Sequence, residues 1–282
     1  MRPTLTLDSL STFLDGKFID PAGLLGPQVV EQDGRRALAV RVFLPQGRRA
    51  WVVDEAHRAW PMRRLHPAGY FEGLCPLSET SSVNYRIELA DRSGRRQLMH
   101  DPYAFEPWLT DFDLYLFGQG THWRIYEKMG ARRRQIDDVA GFNFAVWAPN
   151  ARRVSVVGDF NGWDERIHPM RHRGDSGIWE IFLPGLDVGQ RYKFRITTCT
   201  GEVVDKADPF ALTSELPPCT ASITAELERY CWQDEAWMAE RTERSFLHAP
   251  MSIYEVHLGS WQRDQSPYGW MNYRVLAHRL VE

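Results

Sequence analysis

The sequence predicts a mainly β protein: two tandem immunoglobulin-like β-sandwiches followed by one strand–loop–helix unit. Three observations carry this. Short runs such as "LAVRVFL" from Leu38 and "FNFAVWA" from Phe142 alternate apolar and polar residues, the period of a half-buried strand. Gly, Pro, Asn and Asp interrupt these runs about every ten residues, the spacing of sandwich turns. The whole pattern also occurs twice.

The repeat is read from matched landmarks. In "VRVFLP" and "FAVWAP", Pro45 matches Pro149, 104 residues on. "GYFEGLCPL" from Gly69 matches "GIWEIFLPG" from Gly177 at 108, "YRIEL" from Tyr85 matches "YKFRI" from Tyr192 at 107, and "DPYAF" from Asp101 matches "DPFAL" from Asp208 at 107. Four ordered matches at a nearly constant offset imply a duplicated domain, since a period of this size is a domain length and not a solenoid unit. Both copies are expected to share one strand order. Phe71 and Trp179, at matched strand positions, are expected in the cores.

The elements follow in order. Leu10, Phe13 and Leu14 form one apolar face after Asp8, with Gly16 as a stop, so a short helix opens the chain. The first sandwich completes residues 1–108. Residues 109–136 form a helical linker, with the helix expected over "THWRIYEKMGA", where Thr121 caps, Ile125 and Met129 lie four apart and Gly130 stops it. The second sandwich spans 137–225. Within it, "VSVV" and "GDFNGWD" read as a strand and a tight Asn161-Gly162 turn with Trp163 at its edge. A second linker over 226–250, with Trp232 and Trp237 five apart, reads as neither helix nor strand. From Met251, "MSIYEVHLGSW" fits a buried parallel strand, and Val275, Leu276, Arg279 and Leu280 fit a helix capped by Asn272.

Composition bounds the chemistry. The 282 residues carry a formal charge of −3, and the arginine clusters are scattered among acids, which argues against nucleic acid as a partner. No apolar run approaches the length of a membrane span and the N-terminus lacks a signal-peptide pattern, so no membrane partner is expected and the cytoplasm is the expected location. The four cysteines show neither redox nor zinc spacing and are expected as buried free thiols; no cofactor or metal is implied.

Several stretches together carry a resemblance: "LLGP" at Leu24, "DLYLFGQGTHWRIYEKMGA" at Asp113, "FAVWAPNARRVSVVGDFNGWD" at Phe144, "DKADPF" at Asp205 and "PMSIYEVHLGSW" at Pro250. From near residue 20 to its end the chain resembles the N-terminal half of bacterial glycogen branching enzymes (1,4-α-glucan branching enzymes). Gln119 departs from that family's usual glutamate. The resemblance implies that the second sandwich is a carbohydrate-binding module, and that residues 251–282 begin a catalytic (β/α)8 barrel of the α-amylase class. The implied reaction moves an α-1,4 glucan segment to a 6-hydroxyl by a retaining mechanism, which needs two facing carboxylates about 5 Å apart. None of the chain's carboxylates lies in a matching context. "EVVDKADPF" mimics the nucleophile motif, but Val203 stands where its arginine belongs. No catalytic residue is therefore assigned, the barrel is the implied missing partner, and the chain alone is expected to be inactive.

The implied ligand is an α-glucan, glycogen or a malto-oligosaccharide. Its implied site residues are Trp163, Lys193 and Asn161. An indole matches the apolar face of a pyranose, while an ammonium and an amide bond its hydroxyl edge. The module's second platform tryptophan is absent, Gly201-Glu202-Val203 standing in its place. In the first copy the corresponding turn, "DEAHRAWP", ends at Trp60. The competing readings are a stand-alone glycogen-binding module, or the front of an isoamylase or trehalose-releasing hydrolase. His257 receives no role.

Overall fold

The computed structural model describes all residues except 1–3, 19, 22, 33, 77–84, 228–229, 244–247 and 266–268. It forms two compact units, residues 1–229 and 230–282.

The first unit opens with α1 (Leu7–Leu14), whose N-cap Thr6 accepts from the Ser9 amide and whose Leu10 and Phe13 are buried. Eight strands follow: β1 (Gly26–Gln32), β2 (Arg35–Phe43), β3 (Gly47–Asp54), β4 (Ala59–Pro61), β5 (Arg63–His66), β6 (Tyr70–Pro76), β7 (Tyr85–Asp91) and β8 (Arg96–Met99). They make two antiparallel sheets, β1-β2-β6-β5 and β4-β3-β7-β8. Val40, Val42 and Phe71 from the first meet Val52, Ile87 and Leu89 from the second in one core.

The second copy holds β9 (Gly130–Ile136), β10 (Val139–Trp147), β11 (Ala151–Gly158), β12 (Arg171–His172), β13 (Ile178–Pro184), β14 (Arg191–Thr198), β15 (Val203–Lys206), β16 (Thr213–Ser214) and β17 (Ser222–Ile223). Its sheets run β12-β13-β10-β9 and β11-β14-β17-β16, with β15 also on β14. The order β9-β10-β13-β12 repeats β1-β2-β6-β5, and β11-β14-β15 repeats β3-β7-β8. Register repeats too. Val42 faces Phe71 as Val146 faces Trp179, and Val52 faces Ile87 as Val156 faces Phe194. The bulge between Gly47 and Arg49 recurs between Ala151 and Arg153. Phe71 and Trp179 are both core residues, as expected. Each stabilises its copy by about 1.5–3 kcal/mol through apolar burial.

Polar groups in the interior are duplicated as well. The Tyr85 hydroxyl donates to Asp101 at 2.5 Å, and that of Tyr192 to Asp208 at 2.5 Å. Each aspartate also accepts a backbone amide two residues on, from Tyr103 and from Phe210. Matched buried glutamates, Glu72 and Glu180, each hold the segment that precedes their copy. Glu72 accepts from Thr4 and from Arg41 at 3.1 Å. Glu180 accepts from the amides of Trp108 and Leu109, from Asn143, and from Arg173. Buried carboxylates are tolerable here because their lone pairs are taken up by cations and amides.

The copies pack on each other. Leu10, Phe13, Phe18, Phe43, Tyr70 and Tyr103 belong to one cluster with Phe144, Trp179 and Tyr192. Tyr103 donates to the Pro169 carbonyl, and Arg171 donates to the carbonyls of Tyr103 and Phe105.

Four expectations need correction. The linker helix is α2 (Asp111–Gly118), set by a capping box between Thr110 and Asp113, and Gln119 is its C-cap. Residues 121–129 hold only a 3-10 turn at Ile125–Glu127, whose Ile125 packs against buried Met129, and β9 begins at Gly130. The second linker, read as irregular, forms α3 (Glu235–Glu243), built from good helix formers. "MSIYEVHLGSW" forms no strand: residues 251–257 lack regular structure, and a turn at His257 follows in which its ring meets the Ser260 hydroxyl at 2.7 Å. A parallel strand needs neighbours to take its hydrogen bonds. The helix after it does form, as α4 (Tyr273–Val281) with Asn272 as cap. Finally, all four cysteines are free, but only Cys75 is buried.

Candidate functional site

The turn after β11 is not the two-residue hairpin its Asn-Gly suggests. Asp159–Asn161 make a 3-10 turn, and Gly162 and Trp163 both adopt left-handed backbone, at φ 60° and 61°. Glycine is required at 158, because a Cβ there would lie 2.2 Å from the Arg191 carbonyl oxygen. The Asn161 side chain closes the turn. Its Oδ1 accepts from the Gly158 amide, and its amide group donates to the Val156 carbonyl and to His168 Nδ1. Asn161 is buried. Its hydrogen-bonding groups are spent inside the protein, so it shapes the turn from within.

Trp163 emerges from this turn half-buried. Its amide donates to the Gly158 carbonyl at 3.0 Å, and its carbonyl accepts from Arg195 at 3.1 Å. Left-handed backbone at a bulky L-residue costs about 1–2 kcal/mol, which these two bonds offset. The indole Nε1 donates to Asp159 Oδ1 at 3.1 Å.

Lys193 lies beside this turn. It faces Val157 across the β11–β14 ladder, next to the Gly158–Tyr192 pair. Tyr192 and Phe194 point into the core, so Arg191, Lys193 and Arg195 alternate onto the outer face. Lys193 Nζ donates to Thr220 Oγ1 at 2.8 Å. Arg191 pairs with Asp159 at 2.7 Å and with Glu215 at 3.3 Å, and Arg195 pairs with Asp205 at 2.8 Å. The Arg191 and Trp163 hydrogen bonds hold the Asp159 carboxyl below the usual carboxylate range. Together these residues make an exposed surface with a flat apolar ring beside fixed charges.

Two of the three expected site residues thus share one sheet end, and the third lies beneath it. Sequence reasoning missed Asp159, Arg191, Glu215 and Thr220. The Arg-x-Lys-x-Arg alternation was a visible sign of a charged outer strand face, but Glu215 and Thr220 arrive from a distant loop that no local pattern foretells. The turn between β14 and β15 holds Gly201 and Glu202. In the first copy Trp60 packs on the core opposite Val52, with Arg58 over its ring at 5.4 Å.

Asp205 and Asp208, the aspartates of the nucleophile-like stretch, are committed elsewhere. Asp205 is paired with Arg195, and Asp208 is buried against Tyr192 and the Ala131 amide. No helix among the described residues is long and apolar enough to cross a membrane.

Two family models match parts of the chain. Residues 6–103 match the family described as alpha-1,4-glucan branching enzyme GlgB, N-terminal domain. Residues 128–211 match carbohydrate-binding module 48 (isoamylase N-terminal domain). The chain is 46% identical over its whole length to the 1,4-alpha-glucan branching enzyme GlgB of Rhodopirellula baltica, covering 39% of that protein. It is 44% identical to the same enzyme of Methylococcus capsulatus over 100% of the chain and 38% of the relative. For that of Rubrobacter xylanophilus the identity is 47%, over 97% of the chain and 37% of the relative. The chain therefore spans under two fifths of these relatives' lengths. What it matches, over both copies of its duplicated β domain, is the N-terminal part of the 1,4-alpha-glucan branching enzymes.

Proposed function

We propose that this chain supplies glucan binding and barrel support to a 1,4-α-glucan branching enzyme, whose reaction moves an α-1,4 segment to a 6-hydroxyl in glycogen. In this reading the two copies are immunoglobulin-like sandwiches, residues 251–282 open the catalytic (β/α)8 barrel, and the whole protein works in the cytoplasm. The match of residues 6–103 to the branching-enzyme N-terminal domain favours this over an isoamylase or a trehalose-releasing hydrolase.

The observation that carries glucan binding is the placement of Trp163 and Lys193 at one end of the β11–β14 ladder. The indole supplies a stacking face for a glucose ring, and the ammonium a donor for its hydroxyls. Asn161 acts by holding the turn. With one platform ring the site binds weakly. Loss of the ring removes roughly 1–3 kcal/mol, the scale of one large buried side chain.

Affinity electrophoresis in glycogen gels tests this with the wild type, Trp163→Ala and Lys193→Ala. Glycogen should retard the wild type most. Equal mobility of all three would assign the indole to packing and return the alternative of a chain without a sugar site here.

A further inference from the structure

Trp163 and Lys193 are joined by a path of hydrogen bonds through Asp159, Arg191 and the 215–221 loop. Trp163 Nε1 donates to Asp159 Oδ1 at 3.1 Å, and Arg191 Nε donates to Asp159 Oδ2 at 2.7 Å. Arg191 Nη1 reaches Glu215 Oε1 at 3.3 Å. Glu215 Oε2 accepts from the Ala221 amide at 2.9 Å, and the Glu215 amide donates to the Ala221 carbonyl at 2.9 Å. The neighbouring Thr220 hydroxyl accepts from Lys193 Nζ at 2.8 Å. The path thus starts at the indole edge, crosses the outer face of β14 and returns through the 215–221 loop to the lysine.

We propose that Asp159 and Arg191 are positioning residues for the glucan site: they fix the plane of the Trp163 indole and tie it, through Glu215, to the loop that aims Lys193. The inference rests on the site proposed above. Its physical basis is that a stacking face contributes to affinity only if its orientation is set before the sugar arrives, because ordering it on binding subtracts from the gain. The indole has one polar atom, and Asp159 holds it. Asp159 uses its other oxygen on Arg191, so the carboxylate cannot turn without breaking a charge-assisted bond. Both residues are well exposed, with side chains 40% and 52% accessible. Exposed ion pairs contribute little to stability, so their removal should leave the fold intact while loosening the platform.

The test uses the full chain labelled with 5-fluorotryptophan, with maltoheptaose as the glucan. The Trp163 fluorine line is assigned by its loss in Trp163→Phe. Asp159→Ala should shift and broaden that line without ligand, and weaken maltoheptaose binding about three- to tenfold. Arg191→Ala should do the same to a smaller degree. Asp159→Asn, which keeps an acceptor for Nε1 but loses the charge on Arg191, should fall between wild type and Asp159→Ala. In the Trp163→Phe background, Asp159→Ala should cause no further loss, since phenylalanine has no donor to hold. If Trp163→Ala weakens binding but Asp159→Ala leaves both affinity and the fluorine line unchanged, the positioning role is overturned and the sugar site stands. If Trp163→Ala itself binds maltoheptaose as wild type does, the sugar site falls and the positioning role with it.

Discussion

Asn161 and His168 show how a single turn can make a protein sensitive to acid. The Asn161 amide donates to His168 Nδ1 at 3.0 Å, which requires that nitrogen to be unprotonated. Burial pushes the ring down to about 4 from an ordinary value of 6.5. In this pH range the unfolded chain takes up the proton first. The stability that comes from holding the ring neutral is complete above about pH 6.5 and is lost as pH falls toward 4, amounting to about 2 kcal/mol by pH 5. Asp101 works in the other direction. Burial pushes it up to about 6, so its contribution is fully present below the ordinary carboxylate value and is lost as pH rises through 6. Comparing variants separates the two. His168→Gln keeps an acceptor for Asn161 but cannot gain the proton. Relative to wild type, its urea midpoint should improve between pH 7 and pH 5. Parallel pH profiles for the two proteins would show that His168 is not the sensor.

At the scale of elements, the duplicated Tyr–Asp pairs predict duplicated costs. Tyr85→Phe and Tyr192→Phe each leave a buried carboxylate without one of its donors. Each should destabilise its copy by about 1–3 kcal/mol, the cost of an unmet buried polar group, as read from denaturant unfolding. A change near zero at either site would mean that its aspartate finds another donor. The strands carrying these pairs were legible in the sequence, because period-two runs and matched offsets are local signals that tertiary packing then reinforced. The turn at Asp159–Trp163 was not legible. Asn161 looks like a hairpin residue, and only the three-dimensional positions of Val156 and His168 reveal that its amide is committed to them. The linker helix moved to residues 111–118 because Thr110 and Asp113 cap each other, a signal present in the sequence but outweighed there by the Ile125–Met129 spacing. The 251–261 run forms no strand here because apolar content reports a wish for burial and not the presence of strands to pair with. Of the candidate site, the indole and the lysine were implied by the resemblance, while nothing local in the sequence pointed to Asp159 and Arg191, which are bonded beside them.

At the scale of the molecule, the carboxylate inventory predicts an inactive polypeptide. A retaining glycosyl transfer needs a nucleophile and an acid/base facing each other across a glucan. In the stretch that imitates a nucleophile motif, Asp205 is tied to Arg195 and Asp208 is sealed against Tyr192. Amylose incubated with the purified chain should show no loss of iodine colour and no new reducing ends. Turnover that scales with protein would refute this reading.

The matched glutamates, finally, bear on how the chain avoids confusing its two halves. Glu72 takes its cation from Arg41 on the facing strand, whereas Glu180 faces Ala145 and takes Arg173 from the segment ahead of β13. The two sheets share order and register, so β6 could in principle zip onto β10 during folding. Glu72 would then lie opposite Ala145, ionised, without Arg41. Arg41 in turn would be left buried without its carboxylate, and a buried charge that loses its partner is costly, so this ion pair favours the correct pairing of β6. The variant carrying Arg41→Met and Glu72→Met loses the ion pair but keeps the bulk. It should still unfold cooperatively, at a midpoint lowered by the loss of the Thr4 and Gly23 hydrogen bonds, since the ion pair itself can give way to an apolar pair at little cost. After rapid dilution from urea, however, it should yield more cross-paired species, seen as dimers and misfolded monomers by size-exclusion chromatography. A monomer yield equal to wild type would show that the halves are kept apart by something other than charge.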